Sequence, residues 1–266
     1  MQLFIGLILA VTSSFLAYRA RSLSRDGAFA AAFIGTVIFG LGGWQWAVLL
    51  LAFFISSSLL THAFKNLKQG LEEKYSKSGR RDAAQVFSNG GIAALFVVLH
   101  ALLPQAAWTW AGFATALAAV NADTWATELG VLNPGPPRLI TNLRKQVEKG
   151  TSGAISIYGT TAALLGAAFI GALAVTLIPE GRGPLFVWVT LSGLFGSLID
   201  SLLGATIQAI YFCPTHNKET ERHPLHTCGT PTVQIRGWKW LNNDWVNAAC
   251  SCSALVIFGL FIRVFG

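Results

Sequence analysis

Asn121-Ala-Asp-Thr-Trp-Ala-Thr-Glu-Leu-Gly130 sets an Asp and a Glu at the end of a long apolar run. Ionisable side chains at membrane depth cost about 3 kcal/mol each on insertion scales, so where they persist they line a cavity, a proton path or a metal site. The alternative is that this segment has already left the lipid and its carboxylates are solvated. The choice turns on whether the chain is a membrane bundle and on where its other polar residues fall.

Of 266 residues, 53% are hydrophobic and only 12% charged, with a mean hydropathy of +0.54, far from the roughly 25% charged content of soluble domains. That balance describes a polytopic membrane protein. The net charge of +7 is what basic-residue bias in cytoplasmic loops produces, so it carries no argument for nucleic acid. Leu3 to Ala17 has no basic stretch before it and no small-residue cleavage site, which reads as a retained helix rather than a signal peptide.

A bilayer crossing takes about 20 apolar residues, and eight candidates follow: 2–18, 28–44, 46–62, 84–103, 106–128, 153–178, 185–211 and 245–263. Alternate connections differ in kind. Gly42-Gly43-Trp44-Gln45, Pro104-Gln105 and Pro179 to Pro184 are tight turns, whereas the others are longer and basic. The basic connections hold 17 of the 19 Lys and Arg residues, leaving Arg182 and Arg263 on the other face. The positive-inside rule then puts those loops in the cytoplasm and both termini outside. The expected fold is all-α: one integral membrane domain over residues 1–266, with cytoplasmic loops at about 65–83, 129–152 and 212–244. A bacterial plasma membrane is the expected location.

Sorted by depth, the polar residues gather in the cytoplasmic half. Asn89, Asn121, Asp123, Glu128, Ser156, Asp200, Gln208, Asn243, Asp244 and Asn247 come from five spans, which describes a polar cavity open to the cytoplasm and closed on the outside. Asp123 and Glu128 are five residues apart, about 140° around an ideal helix. Either the helix unwinds near Asp123, as broken helices in cavities do, or one carboxylate faces the loop. Asp123-Thr124 and Asp200-Ser201, with Glu128 nearby, form an oxygen-ligand set suited to Mg²⁺, which takes one or two carboxylates plus water and phosphate oxygens. The alternative is carboxylates paired with Arg or Lys for packing.

Lys149 precedes Gly150-Thr151-Ser152-Gly153, expected to open the sixth span, where backbone N–H groups and the positive helix end favour an anion. Ser and Thr are equally the ordinary helix N-caps, and P-loop spacing is absent. Arg80, Arg81 and Asp82, following Lys77-Ser-Gly, stand at the mouth of the fourth span, where guanidinium forks suit phosphates; anchoring is the alternative there. Arg138 adds another cation. In the last loop Cys213, His216, His226 and Cys228 have spacing compatible with a structural Zn²⁺ clip, with His223 as a spare ligand.

Five blocks in order resemble a known family: Gly79-Arg80-Arg81-Asp82-Ala-Ala-Gln85-Val86 with Asn89-Gly-Gly; Ala122-Asp123-Thr-Trp-Ala-Thr-Glu128-Leu-Gly; Gly150-Thr-Ser-Gly-Ala-Ile-Ser156; Gly196-Ser-Leu-Ile-Asp200-Ser-Leu-Leu-Gly; and Trp240-Leu-Asn-Asn243-Asp244-Trp-Val-Asn247. They are similar to the integral membrane family that includes transmembrane protein 19 and the phytyl-phosphate kinases. The resemblance covers about residues 79–247; the N-terminal third matches in hydropathy only. It implies a phosphotransferase moving a phosphoryl group from a nucleoside triphosphate, CTP or similar, onto phytyl or a related prenyl monophosphate in isoprenoid salvage and tocopherol biosynthesis. Under that reading Asp123, Glu128 and Asp200 take metal or base roles. Arg80, Arg81, Lys149, Thr151 and Ser152 meet phosphates, and Asn89, Asn243 and Asn247 orient ligands. The rivals are a secondary transporter with intramembrane carboxylates and a CTP-dependent lipid cytidylyltransferase.

Overall fold

A computed structural model of the chain describes residues 1–68, 74–75, 79–178 and 182–265. Lys77, and Pro179 to Gly181 of the expected tight turn, lie outside them. Eight helices dominate: α1 Gln2–Arg19, α2 Arg25–Val37 continuing as a π turn over Ile38–Gly42, α3 Trp44–Ala63, α4 Ala83–Leu102, α5 Trp108–Gly130, α6 Ile157–Thr176, α7 Arg182–Thr206 and α8 Asn243–Phe265. Seven of them are long and apolar enough to cross a membrane.

The exception is α5, 23 residues long but interrupted by Thr109, Thr115, Asn121, Asp123 and Glu128. Its surroundings explain the exception. Every residue from Thr109 to Ala122 is buried, because α5 touches α3, α4, α6, α7 and α8. A helix enclosed by other helices meets protein rather than lipid, so its polar groups need protein partners and not an apolar surface.

Small residues let the bundle close around α5, as expected where no hydrophobic force drives helices together within lipid. A Cβ on Gly193 of α7 would stand 2.9 Å from the Ala118 Cβ and 3.0 Å from the Ala167 Cβ; one on Gly166 of α6 would meet the Asn121 carbonyl oxygen at 3.1 Å. Asn121 fastens the same region: its amide donates to the Gly166 carbonyl (2.8 Å), and its oxygen accepts from Ser56 (3.2 Å) and Ser57 (3.3 Å) of α3. At the opposite end Trp46 packs against Trp110, Phe113 and His100.

Several boundaries differ from the all-α expectation. The second long basic loop forms a small antiparallel sheet of β1 Arg138–Leu139, β2 Asn142–Gln146 and β3 Ala154–Ile155, ordered β2-β1-β3. A second sheet, β4 Ile210–Cys213, β5 Lys218–Thr220 and β6 Val233–Arg236, is ordered β5-β4-β6. Helix α7 therefore stops at Thr206, short of the expected residue 211. Helix α6 begins at Ile157, not at Gly153, because Ser156 is the true N-cap and accepts from the Gly159 N–H at 3.1 Å. Asp82 caps α4 in a reciprocal box with Gln85.

Gly193→Leu is expected to lower stability by about 1–3 kcal/mol through overpacking. A Cβ at Gly259 on α8 would meet nothing within 4 Å, so Gly259→Leu should be neutral. Thermal unfolding in detergent checks the pair, and equal shifts for both variants would contradict this packing.

Candidate active site

The helix ends that carry the basic loops surround one cavity of about 340 Å³. Asp123 and Glu128 reach it from α5, Asp200 from α7, Asn89 from α4, Asn243 and Asn247 from α8, and Ser156 from the start of α6; Arg80, Arg81, Lys149, Thr151 and Ser152 enter from the loops. Two expected residues are not in the lining. Asp82 accepts from the Gln85 N–H at 2.9 Å and caps α4. Asp244 lies beside Asn242, whose side-chain oxygen accepts from the Asp244 and Trp245 N–H groups at 3.0 and 3.2 Å. On α8 the residues one position before and three after it, Asn243 and Asn247, face the cavity instead.

Helix α5 runs unbroken through Asp123. Its two carboxylates therefore point to different flanks, as the 100° step per residue requires, and the cavity wraps far enough around the helix to meet both. Glu128, buried, accepts from the Thr61 hydroxyl of α3 at 2.9 Å. Asp123 faces α7, where the Ser197 hydroxyl approaches it at 3.4 Å. Asp200 of α7 lines the same cavity as Asp123. Its Oδ2 is enclosed and makes no hydrogen bond among the described residues. No described Lys or Arg forms an ion pair with either Asp, so the packing alternative, carboxylates neutralised by neighbouring cations, does not describe them. An enclosed carboxylate oxygen with no hydrogen-bond partner among the described residues, in one cavity with a second acid, fits a hard divalent cation.

The cations are arranged differently from one another. Arg81 is wedged at the cavity mouth over the rings of Phe53 and Phe54, 5.6 and 5.4 Å from their centroids. Its backbone is pinned by Arg81 N–H to the Ser22 carbonyl and by the Ser24 N–H to its own carbonyl, both 3.0 Å. Burial lowers its guanidinium to about 10, opposed by the Glu128 carboxylate, so it stays cationic at neutral pH. Lys149, by contrast, donates to the Val131 and Asn133 carbonyls at 2.9 and 2.7 Å just past the end of α5, where a cation offsets the negative helix end. Most of its donor capacity is thus spent on the fold.

Gly150 to Gly153 is a loop and not a helix start. Gly150 and Gly153 have φ of 79° and 81°, and a Cβ on Gly153 would fall 2.4 Å from Ala205 atoms, so glycine is required there. Ser152 donates to Gln208 at 3.0 Å, and Gln208 in turn donates to Glu221 at 2.9 Å.

Gln208, which depth already sorts to this end, lines the cavity, and so do Glu221, Tyr75 and Thr61, which did not stand out as site residues. Glu221 sits in Lys218-Glu-Thr-Glu-Arg222, which reads as a solvated charge run. Its N–H is held by the Lys74 carbonyl at 2.8 Å. Burial first, then Glu221 and Glu128, pushes the Tyr75 phenol well above its ordinary value.

A second, apolar recess of about 80 Å³ lies among α1, α2, α3 and α4, lined by Ala10, Ser14, Ala31, Ile34, Leu51 and Phe54 among others. Arg81, Gln85 and Asn89 belong to both linings. In the last loop, Cys213, His216, His226 and Cys228 come together away from the cavity, while His223 stacks on Tyr211 instead, 4.4 Å between ring centroids.

Among curated proteins, the chain is 33% identical to Protein PGR of Arabidopsis thaliana over 92% of this chain and 91% of that protein. It is likewise 33% identical to an uncharacterized membrane protein of Methanocaldococcus jannaschii, over 78% of this chain and 84% of the other. Protein VTE6, chloroplastic, of Arabidopsis thaliana is 28% identical over 85% of this chain and 61% of its own length. No solved structure matches. The family described as integral membrane protein DUF92 matches residues 8–255, and with nearly the whole chain covered, this protein belongs to that family.

Proposed function

We propose that this protein is a prenyl-phosphate kinase, transferring the terminal phosphoryl group of a nucleoside triphosphate to phytyl or a related prenyl monophosphate, with the cavity facing the cytoplasm. The observation that carries the proposal is the meeting of two acids that no described Lys or Arg neutralises, Asp123 and Asp200, with Arg80 and Arg81 in one cavity that shares Arg81, Gln85 and Asn89 with an apolar recess. An amphiphile with an anionic head and a branched hydrocarbon tail suits such a pair of compartments. The five sequence blocks that resemble phytyl-phosphate kinases supply most of these residues.

The chemistry explains the mixture of charges. In the reaction an oxygen of the prenyl monophosphate bonds to the terminal phosphorus of the triphosphate, the bond from that phosphorus to its bridging oxygen breaks, and the nucleoside diphosphate leaves. The second pKa of a phosphate monoester is about 6, so the attacking oxygen is already ionised at neutral pH and a strong base gains little. The obstacle is mutual repulsion of two polyanions, and phosphoryl transfer accordingly depends on positioning and neutralisation. Arg80 and Arg81 would hold phosphate oxygens, and Asn89, Asn243 and Asn247 would orient them. Asp123 and Asp200, with Glu221 near, would hold Mg²⁺, which supplies neutralisation of the bridging and terminal oxygens when bound. Glu128, engaged by Thr61, would steady the Arg81 side.

A secondary transporter would need polar passage toward the other face. There the buried polar side chains among the described residues include Thr115, Thr190 and Ser192, with no charged group beyond α5's C-terminal half.

Purified protein incubated with labelled CTP or ATP, Mg²⁺ and phytyl or geranylgeranyl monophosphate should yield the diphosphate. Asp200→Asn and Asp123→Asn should each lower kcat by at least about a hundredfold, roughly 2.7 kcal/mol, without loss of thermal stability. No diphosphate from any pairing overturns the proposal, and nucleoside monophosphate on the lipid would make the protein a cytidylyltransferase. In the recess, Ala31→Phe should lower kcat/KM about tenfold for the geranylgeranyl substrate and leave dimethylallyl monophosphate nearly unaffected. Equal loss for both would remove the recess from the account.

A further inference from the structure

We propose that Cys213, His216, His226 and Cys228 bind one structural Zn²⁺, and that the ion clamps the loop that carries Glu221 to the cavity. Their ligand atoms all lie within 4.8 Å of one another. The Sγ atoms of Cys213 and Cys228 are 3.7 Å apart, Cys213 Sγ is 3.8 Å from His216 Nδ1, and His226 Nδ1 is 3.4 Å from Cys228 Sγ. A tetrahedral ion with Zn–S of about 2.3 Å and Zn–N of about 2.0–2.1 Å spaces its ligands by about 3.3 to 3.8 Å, which matches these edges. Neither cysteine is in a disulfide. One ion fits at the centre of so tight a group; a two-iron cluster, whose ligand pairs sit on separate metals, needs them further apart. A two-thiolate, two-imidazole tetrahedron selects zinc among common divalent ions.

The loop is built to present these atoms. Cys213 closes β4, and the turn after it carries His216, followed by Asn217 at φ 51°. The facing turn runs from His226 to Gly229, closed by the Gly229 N–H donating to the His226 carbonyl at 2.9 Å, with Gly229 at φ 79°. Thr215 and Thr230 hydroxyls join the two turns at 2.8 Å. The sheet β5-β4-β6 holds one side of the loop, but toward the ligand turns the apolar side chains Leu225, Val233 and Ile235 are each at least half exposed, so a metal staple would add to the sheet's hydrogen bonds where apolar packing is thin.

The same hairpin reaches the cavity. Cys213 pairs with Lys218 across β4 and β5, three residues before Glu221, and Gln208 just ahead of β4 donates to the Glu221 carboxylate at 2.9 Å. Fixing the ligand end of the hairpin therefore fixes Glu221.

Tag-free protein, purified in detergent and measured by elemental analysis, should contain one zinc per chain. Cys228→Ala should lower this below about a tenth, while Cys252→Ser, outside the cluster, leaves it unchanged. Should the ligand variant fail to fold, cobalt exchanged into wild-type protein decides the matter: visible bands of a tetrahedral thiolate site are expected. Wild-type protein with no stoichiometric zinc, with iron in its place, without those bands after cobalt exchange, or with zinc that survives Cys228→Ala, would overturn the assignment. Metal content is read without any turnover, so this outcome and that of the kinase assay are separable.

Discussion

Two carboxylates held inside a helical bundle, with no ion pair to a Lys or Arg among the described residues, govern this structure. Asp123 and Asp200 each carry the desolvation cost of an ionisable group at membrane depth, and neither recovers it from a described Lys or Arg. The bundle lowers that cost by gathering amides, hydroxyls and the guanidinium groups of Arg80 and Arg81 around one opening. The charge of a divalent ion and of phosphate substrates would complete the balance. On the proposed reaction, that neutralisation would arrive with the substrates.

Placing Asp123 in the interior calls for a helix enclosed by others, as α5 is over Thr109 to Ala122. Helix α5 meets that demand through the alanines and glycines of α5, α6 and α7, which bring backbones close enough to surround it. The same closeness allows Asn121 to bridge α3 and α6 by side-chain hydrogen bonds. Packing and site are thus one construction: an enclosed α5 tolerates Asp123, and close contact of α7 brings Asp200 to it. Around the mouth, short sheets and caps fix the loops. Arg81 is held by backbone hydrogen bonds to the α1–α2 connection and by two phenylalanine rings, which leaves its charge directed but its position fixed.

Much of this was legible from the sequence. Segregation of basic residues onto alternate connections gave an even helix count, and depth sorting brought Asn89, Asp123, Asp200, Asn243 and Asn247 to one end. Other features were hidden for physical reasons. The strands of the loops are two to five residues long and mostly exposed, so they lack the apolar alternation that marks a strand. Gly150 to Gly153 has a composition that suits a helix start and a glycine loop equally; only the positive φ values and the contact with Ala205 separate them. Asp82 could have been recognised from the Asp-x-x-Gln spacing of a capping box. Glu221 could not, since its approach to the cavity depends on the fold of the last loop.

The central claim is that Asp123 and Asp200 form a cation site in the absence of substrate. Titrating Mn²⁺ into purified protein and following the free ion by electron paramagnetic resonance tests it most directly. One bound ion is expected for wild type, with affinity reduced at least about tenfold, some 1.4 kcal/mol, in Asp200→Asn and in Asp123→Asn. Binding of equal strength in wild type and both variants would contradict the account.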